Sequence, residues 1–250
     1  MPAATLRGAA QGAAGLRRAL PRRLPRRSIT TAEAMLASDH SLTRPTLKQL
    51  IQAKKPAIGA LTDGLQGDTT HVEMLGLFGY DYVWVDCEHS AATPSSVEGL
   101  YLAAERRNLA TITRVGENSV GGSVGHIAKH LWAGSQGILI PACENAEAAA
   151  RVVDAVKFPP LGSRGLAGDR WCNWGIGGRD MGALVAEANA KTVVGVQIEN
   201  EAGAANLEAI LDVEDVDFVF LGPTDLSAAM GKAVPTCQLA RWTRSRKLDS

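Results

Sequence analysis

The 250-residue chain lacks any C-x-x-C pair: its four cysteines, Cys87, Cys143, Cys172 and Cys237, stand 56, 29 and 65 positions apart. No second cluster can complete a structural zinc site, and a disulfide scaffold is equally unexpected. No apolar run approaches the roughly 18 residues that span a bilayer. Excess charge is missing too, since 26 Lys and Arg balance 26 Asp and Glu. That balance argues against a wholly basic nucleic-acid binder and against a solvated acidic chain. What remains is 46% hydrophobic residues, enough for one large core, on a length that suits one large domain with accessories.

The balance hides an uneven distribution. Arg7, Arg17, Arg18, Arg22, Arg23, Arg26 and Arg27 lie in a leader with no acid before Glu33, so the body is net acidic. An Ala- and Arg-rich start without a continuous apolar stretch reads as an organellar transit peptide rather than a secretory signal. Serine is scarce, Ser28 being the first, which favours the mitochondrion over the plastid; a disordered tail on a cytoplasmic protein is the alternative. Residues 1–40 are therefore set apart as leader, 41–231 as the folded domain and 232–250 as a basic, atypical tail.

Within the domain, β-rich runs begin at Ala57, Tyr82, Ala110, Gly137, Val193 and Asp217, with helix-compatible stretches such as 145–156 and 203–211 between them. The spacing is 24 to 28 residues except for one gap of 56. A doubled gap predicts a hidden strand at Arg164-Gly165-Leu166-Ala167-Gly168, seven strands in all. Near-continuous apolar strands alternating with helices predict a parallel α/β sheet covered on both faces. Near-equal units without a nucleotide fingerprint favour a (β/α)8 TIM barrel over a doubly wound sheet. An eighth strand is due near Arg244, where the sequence is basic and polar, so the barrel is expected to be truncated after its seventh strand.

Reactive residues of a parallel barrel sit where strands end. Those ends carry Asp63, Asp86, Glu88, His89, Arg114, Glu199 and Asp225. Singly, each is commonly a cap or a surface charge; together they outline one rim. Glu199 and Asp225 end sequential strands, and an all-oxygen pair suits Mg2+ or Mn2+ rather than zinc. Arg114 offers a planar fork for a substrate carboxylate. His89 is placed to move protons, with Asp86 holding its ring. A divalent ion on a 2-oxo acid would stabilise a developing enolate. The lysine Schiff-base route is disfavoured because no lysine ends a strand: Lys191 precedes one, and Lys129 and Lys157 lie in helical stretches.

Several segments, taken together and in order, resemble the metal-dependent class II aldolases of the HpcH/HpaI type. They are Val85-Asp86-Cys87-Glu88-His89, Arg114-Val115, Ile140-Pro141, Phe158 through Gly165, Gln197-Ile198-Glu199 and Leu221 through Ser227. The resemblance implies action on 2-oxo-3-deoxy sugar acids or 4-hydroxy-2-oxoheptanedioate, by reversible cleavage of a 4-hydroxy-2-oxo acid to pyruvate and an aldehyde. It further implies metal ligation by Glu199 and Asp225, and binding of the pyruvyl part by Arg114, Gln197, Gly222, Pro223 and Thr224. Acid–base work falls to His89 with Asp86, and the partners to a small 2-oxo acid and further copies of the chain, not to nucleic acid or membrane. Two departures stand out: Cys87 where the family usually has Gly, and a tail that stops matching after Gly231. Two other readings follow, a non-catalytic remnant acting as a subunit partner and a citramalyl- or malyl-thioester lyase-like enzyme.

Other motifs carry less. Gly116 through Ser123 imitates a phosphate loop but has Gly122 where the lysine belongs. His126 and His130 share a helix face, yet Ile127 replaces the glutamate of a zinc-protease motif, so an outer helix is expected. Cys87 reads as a buried filler. Trp171, Trp174 and the neighbouring glycines read equally as a rim lid or a packing loop, with Arg164 as a cap or anion binder there.

Overall fold

The computed structural model describes residues 45–64, 67–116 and 124–232. The leader, the tail, most of the 116–123 loop, Cys237 and the eighth strand expected near 244 lie outside the described residues.

Six parallel strands form one sheet in sequential order: β1 (Gly59–Asp63), β2 (Tyr82–Asp86), β3 (Ala110–Arg114), β4 (Gly137–Ile140), β5 (Val193–Ile198) and β6 (Phe218–Leu221). The helices are α1 (Leu47–Gln52), α2 (Thr69–Leu77), α3 (Pro94–Arg106), α4 (Val124–Ala133), α5 (Ala146–Val156), α6 (Met181–Lys191), α7 (Glu201–Ala205), α8 (Leu207–Leu211) and α9 (Pro223–Ala229). A doubly wound sheet would reverse its strand order at a switch point. None is present among the described residues, so the six strands form an arc of a barrel.

The hidden fifth strand does not exist. β4 pairs directly with β5, Gly137 opposite Val193; the doubled gap holds α5, an irregular stretch, a 3-10 segment (Arg170–Gly175) and α6. Residues 164–168 cannot serve as a central strand because Leu166 is exposed and Arg164 is buried against rings rather than in a ladder. The barrel expectation therefore holds as a six-strand parallel arc, not as seven strands.

Strand alternation sorts the side chains. Val83 and Val85 of β2, Ile138 and Ile140 of β4, and Val194, Val196 and Ile198 of β5 point outward to the helices in two large apolar clusters. The opposite parity, Trp84, Ile112, Leu139, Val193, Phe218 and Phe220, fills the concave side, where Leu47 of α1 joins it. A Cβ at Gly195 would sit 2.2 Å from the Phe218 ring, so only glycine there admits that aromatic. Helix starts are capped by side chains the sequence supplies: Thr93 with Pro94 behind it for α3, Asn145 for α5, Asp180 for α6 and Asn200 for α7. Continuing the inward parity past each strand end brings Asp86, Arg114 and Glu199 to one rim.

Candidate active site

The register that sets Asp86 opposite Arg114 determines the centre of the rim. Arg114 Nε donates to Asp86 Oδ1 at 2.9 Å and Nη2 to Oδ2 at 2.5 Å, a bidentate fork. Nη1 stands 2.9 Å from Glu88 Oε2 as an ion pair without hydrogen-bond alignment. The guanidinium also lies 5.2 Å from the centroid of the Trp84 ring, which meets Phe220 edge to face. Two of the five N–H bonds of Arg114 thus donate to Asp86, and Nη1 faces Glu88 without donating to it. The bidentate face of the fork expected to meet a substrate carboxylate is held by Asp86.

Asp86 does not hold the ring of His89. Its carboxylate is taken by Arg114 and by the backbone N–H groups of Glu88, at 3.0 Å, and of His89. The imidazole is exposed, and its Nε2 lies 3.7 Å from Glu88 Oε2. Among the described residues Glu88 is therefore the acid paired with the histidine. It was legible as a strand-end carboxylate, but its place between Arg114 and His89 depends on the fold.

Burial pushes the Asp86 carboxyl up, but Arg114 and the two backbone donors outweigh it and hold it below its usual value. Burial likewise works to lower Arg114, yet Asp86, Glu88 and Glu199 leave it raised. Glu88 is raised, mainly by burial, with Glu199 and Asp86 adding repulsion that Arg114 and His89 only partly offset. Burial beside Asp86 and Asp63 pushes the Cys87 thiol up to about 12, so it is a filler and not a thiolate.

Glu199 is buried just beyond β5. Its Oε1 accepts from the Ala142 amide at 2.8 Å, and its Oε2 from Gln197 Nε2. Ala142 has φ 51°, a left-handed conformation that costs a non-glycine residue about 1–2 kcal/mol and that aims its N–H at the carboxylate. The sequence gives no signal for that amide. Gln197 Oε1 is buried without a hydrogen-bond partner among the described residues. Gly222 closes the corner: its N–H donates to Ile198 O at 2.9 Å, and a Cβ on it would sit 2.7 Å from Glu199 Oε2. Asp225 follows in the first turn of α9, exposed, with Thr224 beside it and Pro223 at the helix start. Among the described residues no group of three His, Cys, Asp or Glu is placed to hold a metal. Glu199 and Asp225 each follow the end of one of two paired strands, and one or two carboxylates with water is how Mg2+ is commonly held.

Other candidates fall elsewhere. His130 is buried and bonded to Tyr101 at 3.0 Å while His126 is exposed, so they form no pair of ligands. Trp171 packs on Phe158 at 4.5 Å and lines a cavity at the amino ends of the strands, so this part of the loop is no rim lid.

Sequential parallel strands with helices outside and a carboxylate–arginine rim define a barrel-type α/β protein, a class whose chemistry sits at the carboxyl ends of the strands. The family model described as HpcH/HpaI aldolase/citrate lyase matches residues 66–236, and the chain belongs to that family. It is 39% identical over 155 residues to a 4-hydroxy-2-oxovalerate aldolase of Novosphingobium aromaticivorans, covering 61% of this chain and 56% of the relative. It is 37% identical over 165 residues to a 2-keto-3-deoxy-L-rhamnonate aldolase of Salmonella newport, covering 64% and 57%. The chain thus spans little more than half the length of these relatives. An HpcH/HpaI aldolase structure from Desulfitobacterium hafniense superposes with a TM-score of 0.71 at 28% identity, covering 80% of this chain and 74% of that one. A family member from Burkholderia cenocepacia gives 0.70 at 28%, covering 81% and 78%.

Proposed function

We propose that the chain is a carbon–carbon lyase that cleaves a 4-hydroxy-2-oxo acid to pyruvate and an aldehyde, with Mg2+ or Mn2+ as cofactor. One observation carries the reading: the Asp86–Arg114–Glu88 cluster and the Glu199–Gln197–Gly222 corner share one rim, with Glu199 close enough to raise the cost of ionising Glu88. Carboxylates crowded in this way call for a cation beyond Arg114. The buried, partnerless Gln197 Oε1 adds an oxygen donor to those of Glu199 and Asp225, a hard-cation set. Glu199 and Asp225 would hold the metal, which when bound supplies Lewis-acid stabilisation of negative charge on the 2-oxo group.

The protein's own residues do the rest. The N–H bonds of Arg114 not donated to Asp86 bind the substrate carboxylate, with the Gly222–Thr224 turn closing over the pyruvyl end. His89, paired with Glu88, takes the proton of the 4-hydroxyl. The C3–C4 bond breaks, its electrons pass into the enolate of pyruvate, and the aldehyde leaves. The enolate then takes a proton at C3. The reading extends to import through the Arg-rich leader into mitochondria and to assembly of several copies.

Pyruvate release from 4-hydroxy-2-oxo acids, coupled to lactate dehydrogenase with and without EDTA, tests the proposal. Chelator-sensitive release is expected. Activity that survives EDTA sinks the metal assignment, and no release from any such acid sinks the reaction.

A further inference from the structure

At the opposite end of the sheet, the amino ends of β3, β4 and β5 open into a cavity of about 390 Å3. A five-residue strand separates the two ends by about 15 Å, so the cavity is not part of the rim. Five cations line it: Lys48, Arg164, Arg170, Arg179 and Lys191. Four have acids already: Lys48 pairs with Asp217, Arg170 with Glu105, and Arg179 and Lys191 share Glu187. Arg164 does not.

Arg164 is 3% exposed, and its Nε and Nη2 have no hydrogen-bond partner among the described residues. Its guanidinium lies over Phe158 at 4.3 Å and near Trp171 at 5.9 Å. Stacking offsets part of the buried charge but supplies no oxygen acceptor. The nearest opposing charge, Asp169, has its Oδ1 on the Trp171 amide. Three of the neutral groups around the cavity are committed as well: Thr111 Oγ1 accepts from the Gln136 amide, Ser135 donates to Gly137 O and Thr192 to Ala188 O. A buried guanidinium with unused N–H groups beside a cavity that carries more cations than acids is a receptor for an anion. Several cations around one space suit a group with three acceptor oxygens and more than one negative charge.

We propose that this cavity binds a phosphate group, as free phosphate or as the phosphate of a small monoester, with Arg164 as the principal donor. Isothermal titration of the full chain with inorganic phosphate and, separately, with glycerol 3-phosphate tests it, in the presence of saturating pyruvate to occupy the rim. Binding is expected in at least one arm. Tighter binding of the ester assigns an esterified ligand, and equal binding assigns free phosphate. Arg164→Met is expected to weaken binding at least about tenfold, the loss expected for one charge-assisted contact. Arg179→Gln, at a side chain that is more than half exposed and outside the ring stack, is expected to weaken it severalfold and serves if the first variant does not fold. Absence of binding in both arms overturns the proposal. So does binding unchanged in a folded Arg164→Met chain or, where that chain does not fold, in Arg179→Gln, and so does binding that pyruvate abolishes.

Discussion

Two arginines, both more than nine-tenths buried, sit at opposite ends of the same sheet in opposite electrostatic states. Burial works to lower both. At the carboxyl end Asp86, Glu88 and Glu199 reverse the effect and leave Arg114 above its usual value. At the amino end burial wins and brings Arg164 down to about 10, with only Asp169 opposing. Both stack on aromatic rings, Arg114 over Trp84 and Arg164 over Phe158 and Trp171, so the stacking is not what separates them. Oxygen partners are. A guanidinium fixed by two carboxylates is a rigid, preorganised element of a site, whereas one fixed only by rings keeps its donors for something that arrives.

The largest effect expected follows from breaking the satisfied end. Arg114→Met leaves buried Asp86 and half-buried Glu88 without their cation, a loss of about 3–5 kcal/mol in urea unfolding of the chelated protein. A loss below about 1 kcal/mol would mean that the cluster is solvated and that the contrast with Arg164 is false. Next in size is the corner beside it. Glu199→Gln keeps the shape and removes the charge, and should lower pyruvate release by about 100-fold or more, as for loss of one preorganised stabilising group. Asp225→Asn should follow it. A few-fold loss in both would place the cation elsewhere.

A third buried group separates partner from solvent effects. His130 accepts or donates at Tyr101, whose hydroxyl also meets Thr113 at 2.8 Å, and Thr113 in turn meets Ser135. Burial, with His126 adding to it, pushes His130 down to about 4. The folded state therefore binds fewer protons than the unfolded chain, whose histidine titrates near 6.5. Stability from this residue is intact above about 6.5 and is lost as pH falls through the interval down to about 4, by about 2–3 kcal/mol. Thermal melts across that interval should show the loss, and His130→Gln should flatten it. An equally steep profile in the variant would assign the acid lability to other groups.

The sequence declares the strands almost to the residue where apolar runs are bounded by turns, as at Gly137–Ile140 and Val193–Ile198. It misleads at 164–168, because a period assumes one strand per unit while two helices, α5 and α6, occupy the doubled gap. The rim residues are legible because each follows a β-rich run. Their pairing is not: Asp86 and Arg114 are 28 positions apart, and only the β2–β3 register makes them partners instead of Asp86 and His89. The Ala142 amide carries no side-chain signal at all, and Glu88 is visible as an acid but not as the neighbour of His89.

The smallest effect expected is also the most discriminating. Arg164→Met keeps a long apolar stem against Phe158 and Trp171 and removes a buried charge that has no hydrogen-bond partner at Nε or Nη2. Replacing a poorly compensated buried ion by an apolar side chain of similar length is often neutral or stabilising. In phosphate-free buffer the change in unfolding free energy should therefore stay within about 1 kcal/mol, on either side of zero. The same substitution at Arg114 should cost several times more, although that side chain is no more buried. A loss at Arg164 as large as the one at Arg114 would mean that Asp169 is a full partner after all. The two ends of the sheet would then be electrostatically alike, and the amino-end cavity would have no free donor to offer an anion.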